Sequence, residues 1–233
     1  DGVLTDVVTI NLTVLPGNDA PVITQGTGPL TKSVAEDGTA TFLASELNAT
    51  DIDPGDVLTW SISSGASNGV ATASGTGAFP ANLTYVPTAD FNGNDSFTVE
   101  VSDGSLTDSI TVDVTVTAVD DPPTITQGDG PLTKDVAEDG SATWAASELN
   151  ATDPDTAAGS LTWSLVSGAS SGVATVNGTG ASPSTITYVP TGDYNGADSF
   201  TVQVTDGVLT DVVTINLTVL PGNDAPVIAQ GAG

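Results

Sequence analysis

The chain contains no cysteine, histidine, methionine or arginine, and its 233 residues carry only two cations, Lys32 and Lys134. Each absence removes a class of function. Without histidine or cysteine there is no Ser-His or Cys-His nucleophile, no zinc or haem site of the usual kind and no disulfide. Two cations against 29 acids, for a formal net charge of -27, leave almost nothing to neutralise phosphates, so no nucleic-acid partner is expected. Aromatic residues are scarce at 5%. No apolar run approaches the ~18 residues of a membrane span. The N-terminal DGVLTDVV has neither a basic region nor an apolar stretch after it, so no membrane insertion is expected and the chain reads as starting inside a mature protein.

What is present is a 38% hydrophobic content, enough for a core and unlike an acidic disordered tail. Among the acids, Asp outnumbers Glu 24 to 5. Asp is the short carboxylate that sits in turns and coordinates hard cations from loops.

The sequence repeats itself on two scales. ITQGTGPLTKSVAEDG at 23–38 returns as ITQGDGPLTKDVAEDG at 125–140, and the match continues through ASELNATD, LTWS, GVAT, TYVPT and the pair DFNGNDSFTV and DYNGADSFTV. Roughly two-thirds of aligned positions are identical, with one inserted residue after Asp155. On the longer scale, residues 1–23 recur unchanged at 206–228. These periods predict a C-terminal strand segment of a preceding repeat at 1–18, complete repeats at 19–120 and 121–223, and the start of a following repeat at 224–233. The chain reads as a piece of a longer array that alternates between two repeat types. Residues 2–16 read as a final strand without its own sandwich, belonging to a preceding repeat or, in a filament subunit, donated to a neighbour.

Period-2 alternation broken by Gly, Pro, Asn and Asp clusters predicts an all-β chain with no helical stripe. Phe97, Val99 and Val101 alternate with polar residues, as do Ile110, Val112, Val114 and Val116, with Asp103-Gly104 as the turn between them. Further strands are expected near 38–43, 57–63, 69–74 and 82–86, and before Glu36. About seven strands in about one hundred residues is the pattern of a Greek-key β-sandwich. Tandem immunoglobulin-like sandwiches stacked end to end are the expected architecture, with Trp60 and Trp163 as equivalent core anchors.

The acids cluster near predicted strand ends: Glu36 with Asp37, Asp51 with Asp53, Asp90 with Asp95, and Asp103. A fifth place is the boundary peptide, Asn18-Asp19, Asp120-Asp121 and Asn223-Asp224. Singly, each reads as an ordinary turn former. Together they are harder to accommodate, because two carboxylates about 4 Å apart repel by about 4 kcal/mol at an effective dielectric of 20. Several in one crevice require a cation, and calcium is the ion that takes six to eight oxygens in flexible geometry. An EF-hand is excluded. DIDPGD at 51–56 resembles its opening, but the twelfth position is Ile62 and the second repeat has DPDTAA.

This pattern resembles the cadherin-like tandem repeats of giant bacterial surface proteins, such as RTX-type adhesins and VCBS-type arrays. The resemblance covers both whole repeats. It implies calcium held jointly by a Glu near the first strand, an Asp-x-Asp, acids ahead of the sixth strand, an Asp in a DG turn and an Asn-Asp linker before Pro. The matching positions are Glu36, Asp51, Asp53, Asp90, Asp103, Asn18 and Asp19, and then Glu138, Asp153, Asp155, Asp193, Asp206, Asp120 and Asp121. A full set is expected where the two repeats meet: Glu36, Asp90, Asp37, Asp95, Asp120, Asp121, Asp153, Asp155 and Asp206. Upstream, Asn18, Asp19, Asp51, Asp53 and Asp103 form a partial set; downstream, Glu138, Asp193, Asn223 and Asp224 form another.

The expected function is a calcium-rigidified extracellular stalk or filament segment of an adhesive bacterial surface protein. Its partners would be neighbouring repeats of the array, or identical chains in a fibre. Type I secretion is what the family implies. The rival is a calcium-dependent carbohydrate-binding or other ligand-binding sandwich using Phe79, Phe91 or Tyr194, although Phe79 has Ser182 as its counterpart. Asp51 and Asp53 are the one carboxylate pair a glycosidase reading would nominate. They sit at a boundary and recur in both repeats, so no catalytic residue is assigned.

Overall fold

The computed structural model describes residues 2, 5–15, 17–128 and 130–226. The chain divides into two compact units, 1–119 and 120–233. Most of the expected following repeat, 227–233, lies outside the described residues.

Unit 1 contains β1 (Val22–Ile23), β2 (Leu30–Ala35), β3 (Ala40–Thr41), β4 (Ala49–Thr50), β5 (Thr59–Ser64), β6 (Gly69–Ser74), β7 (Asn82–Pro87), β8 (Gly93–Ser102) and β9 (Thr107–Thr117). A four-stranded sheet runs β2-β9-β8-β5 and a three-stranded sheet β3-β7-β6, with β1 and β4 as a separate small pair. β2 lies parallel to β9, and β8 and β9 form a long antiparallel hairpin in which Phe97 faces Val112 and Val99 faces Ile110. Alternation writes this hairpin: Ile110, Val112, Val114 and Val116 are buried while Thr111, Asp113 and Thr115 between them face water.

Unit 2 repeats the plan with β10 (Thr124–Ile125), β11 (Leu132–Ala137), β12 (Ala142–Thr143), β13 (Ala151–Thr152), β14 (Thr162–Ser167), β15 (Gly172–Thr179), β16 (Thr185–Pro190), β17 (Gly196–Thr205) and β18 (Thr210–Leu220). Here β14 pairs with β15, so the two layers join as one sheet in the order β11-β18-β17-β14-β15-β16-β12. In unit 1 the corresponding link is a single bridge between Thr59 and Thr76.

Each core is built round one tryptophan and one tyrosine. Trp60 and Trp163 are buried, and each indole N–H donates to a carbonyl 17 residues on, at Gly77 and Gly180, over 2.9 Å. Tyr85 and Tyr188 stack against Phe97 and Phe200. The described residues are all-β as expected, apart from two 3-10 turns at Ala146–Glu148 and Ala158–Ser160.

Two details differ from the sequence expectation. Among the described residues each unit has nine strands where about seven are expected, because β1, β4 and their copies are two-residue pairs too short to show a period. The strand expected at 38–43 shrinks to Ala40–Thr41. Residues 5–15, expected as part of the last strand of a preceding repeat, lie exposed and in no strand among the described residues.

Candidate metal centres

Each sandwich gathers carboxylates at both ends of its strands. At the end where the chain enters, the Asp-x-Asp segment curls back on itself: Asp53 N–H donates to Asp51 Oδ1, and Asp155 N–H to Asp153 Oδ1, each over 2.9 Å. The second aspartate of each pair captures the incoming peptide. Asp53 Oδ2 accepts from Asp19 N–H at 2.7 Å, and Asp155 Oδ2 from Asp121 N–H at 2.8 Å. The hairpin turn adds a further acid on the same end. Asp103 Oδ1 caps Ser105 and Leu106 N–H, and Asp206 Oδ1 caps Val208 and Leu209 N–H.

In Asp51, Asp153, Asp103 and Asp206 Oδ1 serves the loop and Oδ2 does not. The Oδ2 atoms of Asp51, Asp153 and Asp206 are buried with no hydrogen-bond partner among the described residues. A buried carboxylate oxygen without a donor costs its full desolvation. The fourth such oxygen, on Asp103, is satisfied, because the Asn18 amide donates to it at 3.0 Å. In unit 2 the residue at the Asn18 position is Asp120, which has no amide to give. Desolvation, then the charges of Asp206, Asp155 and Asp153, raise the Asp120 pKa.

Unit 1 compensates with an acid of its own. Asp56, which the sequence analysis passed over as a site residue, places an oxygen within 4.8 Å of ligand oxygens on Asp51 and Asp103. Its pKa is raised by desolvation and by Asp51, Asp53 and Asp103. Asp103 moves the other way, held low by the Leu106 and Ser105 amides despite some desolvation, with Asn18 helping. An open cleft of about 430 Å³ flanks this group, lined by Asp51, Asp53 and Asp56 on a floor of Val57, Leu58 and Ala78.

At the opposite end a buried glutamate ties the first long strand to the outgoing peptide. Glu36 Oε1 accepts from Val119 N–H at 2.5 Å and Oε2 from the Asn92 amide at 3.4 Å. Glu138 makes the same pair with Gly222 N–H at 2.5 Å and the Asn195 amide at 3.3 Å. Around Glu138, Asp139 and Asp224 each bring one oxygen within 4.8 Å of the others. Desolvation, then Asp139, Glu138 and Asp193, raise the Asp224 pKa. Asp90 and Asp193 sit in exposed loops at a left-handed φ of 60°, a conformation Asp tolerates better than most residues. Asp37 is exposed, as is Asn223. Asp139 and the amides of Asn92 and Asn195 were missed; Asp139 is the direct counterpart of Asp37, so the repeat itself carried that signal.

Asp95 is not brought to these groups. Its carboxylate is buried in the sandwich, where it accepts from Ser67, Asn68 and Ser96 N–H and from the Tyr85 hydroxyl at 2.8–3.1 Å. Asp198 repeats this with Ser170, Ser171, Ser199 and Tyr188. With four donors each, these carboxylates hold a loop against the core and have no lone pair to spare for an ion.

Neither lysine neutralises the acidic ends. Lys32 pairs with Glu46 at 2.7 Å and lies over the Phe42 ring; Lys134 pairs with Glu148 at 2.9 Å and lies over Trp144. Hard oxygen ligands from several segments, orphaned buried oxygens and no spare cation fit an alkaline-earth ion and fit no softer metal.

No curated protein matches the chain. Among solved structures, an endo-fucoidan hydrolase of glycoside hydrolase family 107 is 23% identical over 91% of this chain and 30% of its own, with a TM-score of 0.38. Protocadherin gamma B2 extracellular cadherin domains 1–5 are 18% identical over 90% of this chain and 42% of theirs, TM-score 0.45. Drosophila N-cadherin EC1–4 is 16% identical over 89% of this chain and 50% of its own, TM-score 0.46. The chain thus spans 30–50% of these structures. Residues 18–115 match the bacterial Ig domain family and residues 120–221 the bacterial cadherin-like domain family. Unit by unit, the chain is thus similar to bacterial immunoglobulin-like and cadherin-like domains.

Proposed function

We propose that this chain is a segment of a bacterial cell-surface or extracellular stalk in which calcium at the acidic ends of each sandwich stiffens the connecting peptides and serves adhesion. The observation that carries this reading is the set of orphaned Oδ2 atoms on Asp51, Asp153 and Asp206, buried beside further carboxylates with no cation of the protein's own. At the entering end, Asp51, Asp53, Asp56 and Asp103 would hold the ion in unit 1, and Asp120, Asp121, Asp153, Asp155 and Asp206 in unit 2. At the leaving end of unit 2, Glu138, Asp139, Asp193 and Asp224 would do so. When bound, the ion would supply positive charge to oxygens that otherwise repel one another. The protein's part is to gather them from separate strands and to link them to the entering and leaving backbone through Asp53, Asp155, Glu36 and Glu138.

Extracellular modules of this kind bind calcium at about 10⁻⁴ to 10⁻³ M, and each tenfold excess of ion over the dissociation constant adds about 1.4 kcal/mol per site. Sites of that strength are filled outside a cell and largely empty inside. Thermal unfolding with 5 mM calcium and with a chelator tests the reading. The melting temperature is expected to rise strongly with calcium, and Asp153→Ala with Asp155→Ala to remove most of the unit 2 response. An equal melting temperature in both conditions would sink it.

A further inference from the structure

Of the three tryptophans, two belong to the cores and one does not. Trp60 and Trp163 are buried and spend their indole N–H on the carbonyls of Gly77 and Gly180. Trp144, just after β12, is only half-buried, and no group among the described residues accepts from its N–H. Its counterpart in unit 1 is Phe42, which is buried at 8% exposure. A tryptophan with an apolar body and a free polar end is a side chain that recognition surfaces favour.

Trp144 lines an open hollow of about 490 Å³ together with Gln127, Leu132, Thr133, Ser147 and Glu148. Small-molecule sites span about 300–1,000 Å³ and set a few placed polar groups around an apolar wall. Leu132 pairs with Ile215 and Thr143 with Thr187, midway along β18 and β16, so the hollow lies on the flank of unit 2, away from the acidic ends. Its polar groups are held in place. Glu148 Oε2 accepts from Ala145 N–H at 2.7 Å and Oε1 from Lys134 Nζ at 2.9 Å. Gln127 Oε1 accepts from Asn150 N–H at 2.9 Å, which leaves its amide nitrogen as the donor it offers. Charge narrows the ligand. Lys134, the one cation of unit 2, sits 4.8 Å from the centre of the Trp144 ring and also donates to the Thr143 carbonyl at 2.6 Å. The place of a cation over the ring is therefore taken by the protein's own ammonium. The same ammonium is spent on Glu148, so an anion finds no free partner there. Neutral donors and acceptors around an aromatic face remain.

We propose that the flank of unit 2 carries a binding site for a neutral saccharide, with Trp144 against the CH face of a pyranose ring and Glu148, Gln127, Ser147 and Thr133 bonding its hydroxyls. Unit 1 supplies the internal comparison. The other lining residues named have identical counterparts there, Gln25, Leu30, Thr31, Ser45 and Glu46, so the aromatic is what differs. Phe42 has no N–H and, at 8% exposure, presents almost no ring to a ligand. The site requires no bound ion and adds a recognition surface to the stalk.

The test probes an array of neutral and acidic oligosaccharides with the full chain in 5 mM calcium, then titrates each retained neutral sugar by calorimetry. Saturable binding of at least one neutral sugar is expected. Trp144→Phe installs the residue that unit 1 already accommodates and should weaken binding at least tenfold; Ser147→Ala should weaken it several-fold. Both should leave the melting temperature unchanged. Phe79→Ala, at the exposed aromatic of unit 1, should leave the affinity as it is. If Trp144→Phe lowers the melting temperature, Ser147→Ala decides alone, and full affinity in that variant counts against the site. No retained neutral sugar, or equal binding by a folded Trp144→Phe chain, would overturn the proposal.

Discussion

Asp95 and Asp198 spend their charge inside the protein, and that gives them a pH signature. Burial works to raise the Asp95 pKa, but the amides of Asn68, Ser67 and Ser96 and the Tyr85 hydroxyl outweigh it and hold it below the ordinary value. Asp198 is lowered in the same way by Ser170, Ser171, Tyr188 and Ser199. A folded pKa below the unfolded one means the stabilisation is complete above the unfolded value of about 3.9 and is lost as pH falls through the folded value. In chelator, urea midpoints are therefore expected to drop below about pH 4. Asp198→Ala should cost about 3 kcal/mol at pH 7, since it strands three amides and the Tyr188 hydroxyl, and should flatten the acid limb. Asp120 gives the opposite expectation. Asp120→Asn restores the amide that Asn18 supplies to Asp103, so this variant should melt higher than wild type in chelator and gain less from calcium. A lower melting temperature in chelator would show that Asp120 is not under repulsion.

At the scale of strands and loops, each unit depends on close approach of backbone to the buried tyrosine. A Cβ on Gly172 would lie 2.5 Å from the Tyr188 ring, and one on Gly69 the same distance from Tyr85. Both rings are fixed by stacking and by the aspartate beneath them, so they have nowhere to move. Gly172→Ala is expected to cost about 2–3 kcal/mol, with Tyr188 fluorescence and near-UV dichroism changing together; a cost under about 0.5 kcal/mol would mean the ring yields. The long hairpins were legible from sequence because burial on one face forces a period of two. The same parity places Asp95 on the inward face with Phe97 and Val99, and Asp198 with Phe200; for Asp95 its place beside Asp90 in an acidic turn motif outweighs that signal. β1 and β4 were not legible. They are fixed by contacts such as Asp108 Oδ2 with Ile23 N–H at 2.7 Å, 85 residues apart, which leave no local pattern. Asp56 was visible only as the last acid of DIDPGD. Its approach to Asp103 depends on how two loops fold toward each other.

For the whole molecule the governing quantity is the net charge of -27. Self-repulsion of that size disfavours a compact state, and two mechanisms would relieve it: diffuse screening, which any salt provides, and the proposed ions at the acidic ends. They differ in ion dependence. Screening at 0.15 M already confines exposed charges to about 8 Å, so further sodium chloride should add little to the melting temperature. Oxygens within 4.8 Å of one another, as in Asp51, Asp56 and Asp103, lie inside that length and still repel. Calcium at 1–5 mM on a background of 0.15 M sodium chloride is therefore expected to raise the melting temperature by several degrees, saturably. Magnesium at the same concentration should do less, because it dehydrates reluctantly and prefers a stricter octahedron. Equal responses to the two ions, or a response that sodium chloride reproduces at matched ionic strength, would assign the effect to screening and leave the orphaned aspartate oxygens without a role. A saturable, calcium-selective response that Asp51→Asn and Asp153→Asn each reduce would tie the stability of the whole chain to these few buried atoms.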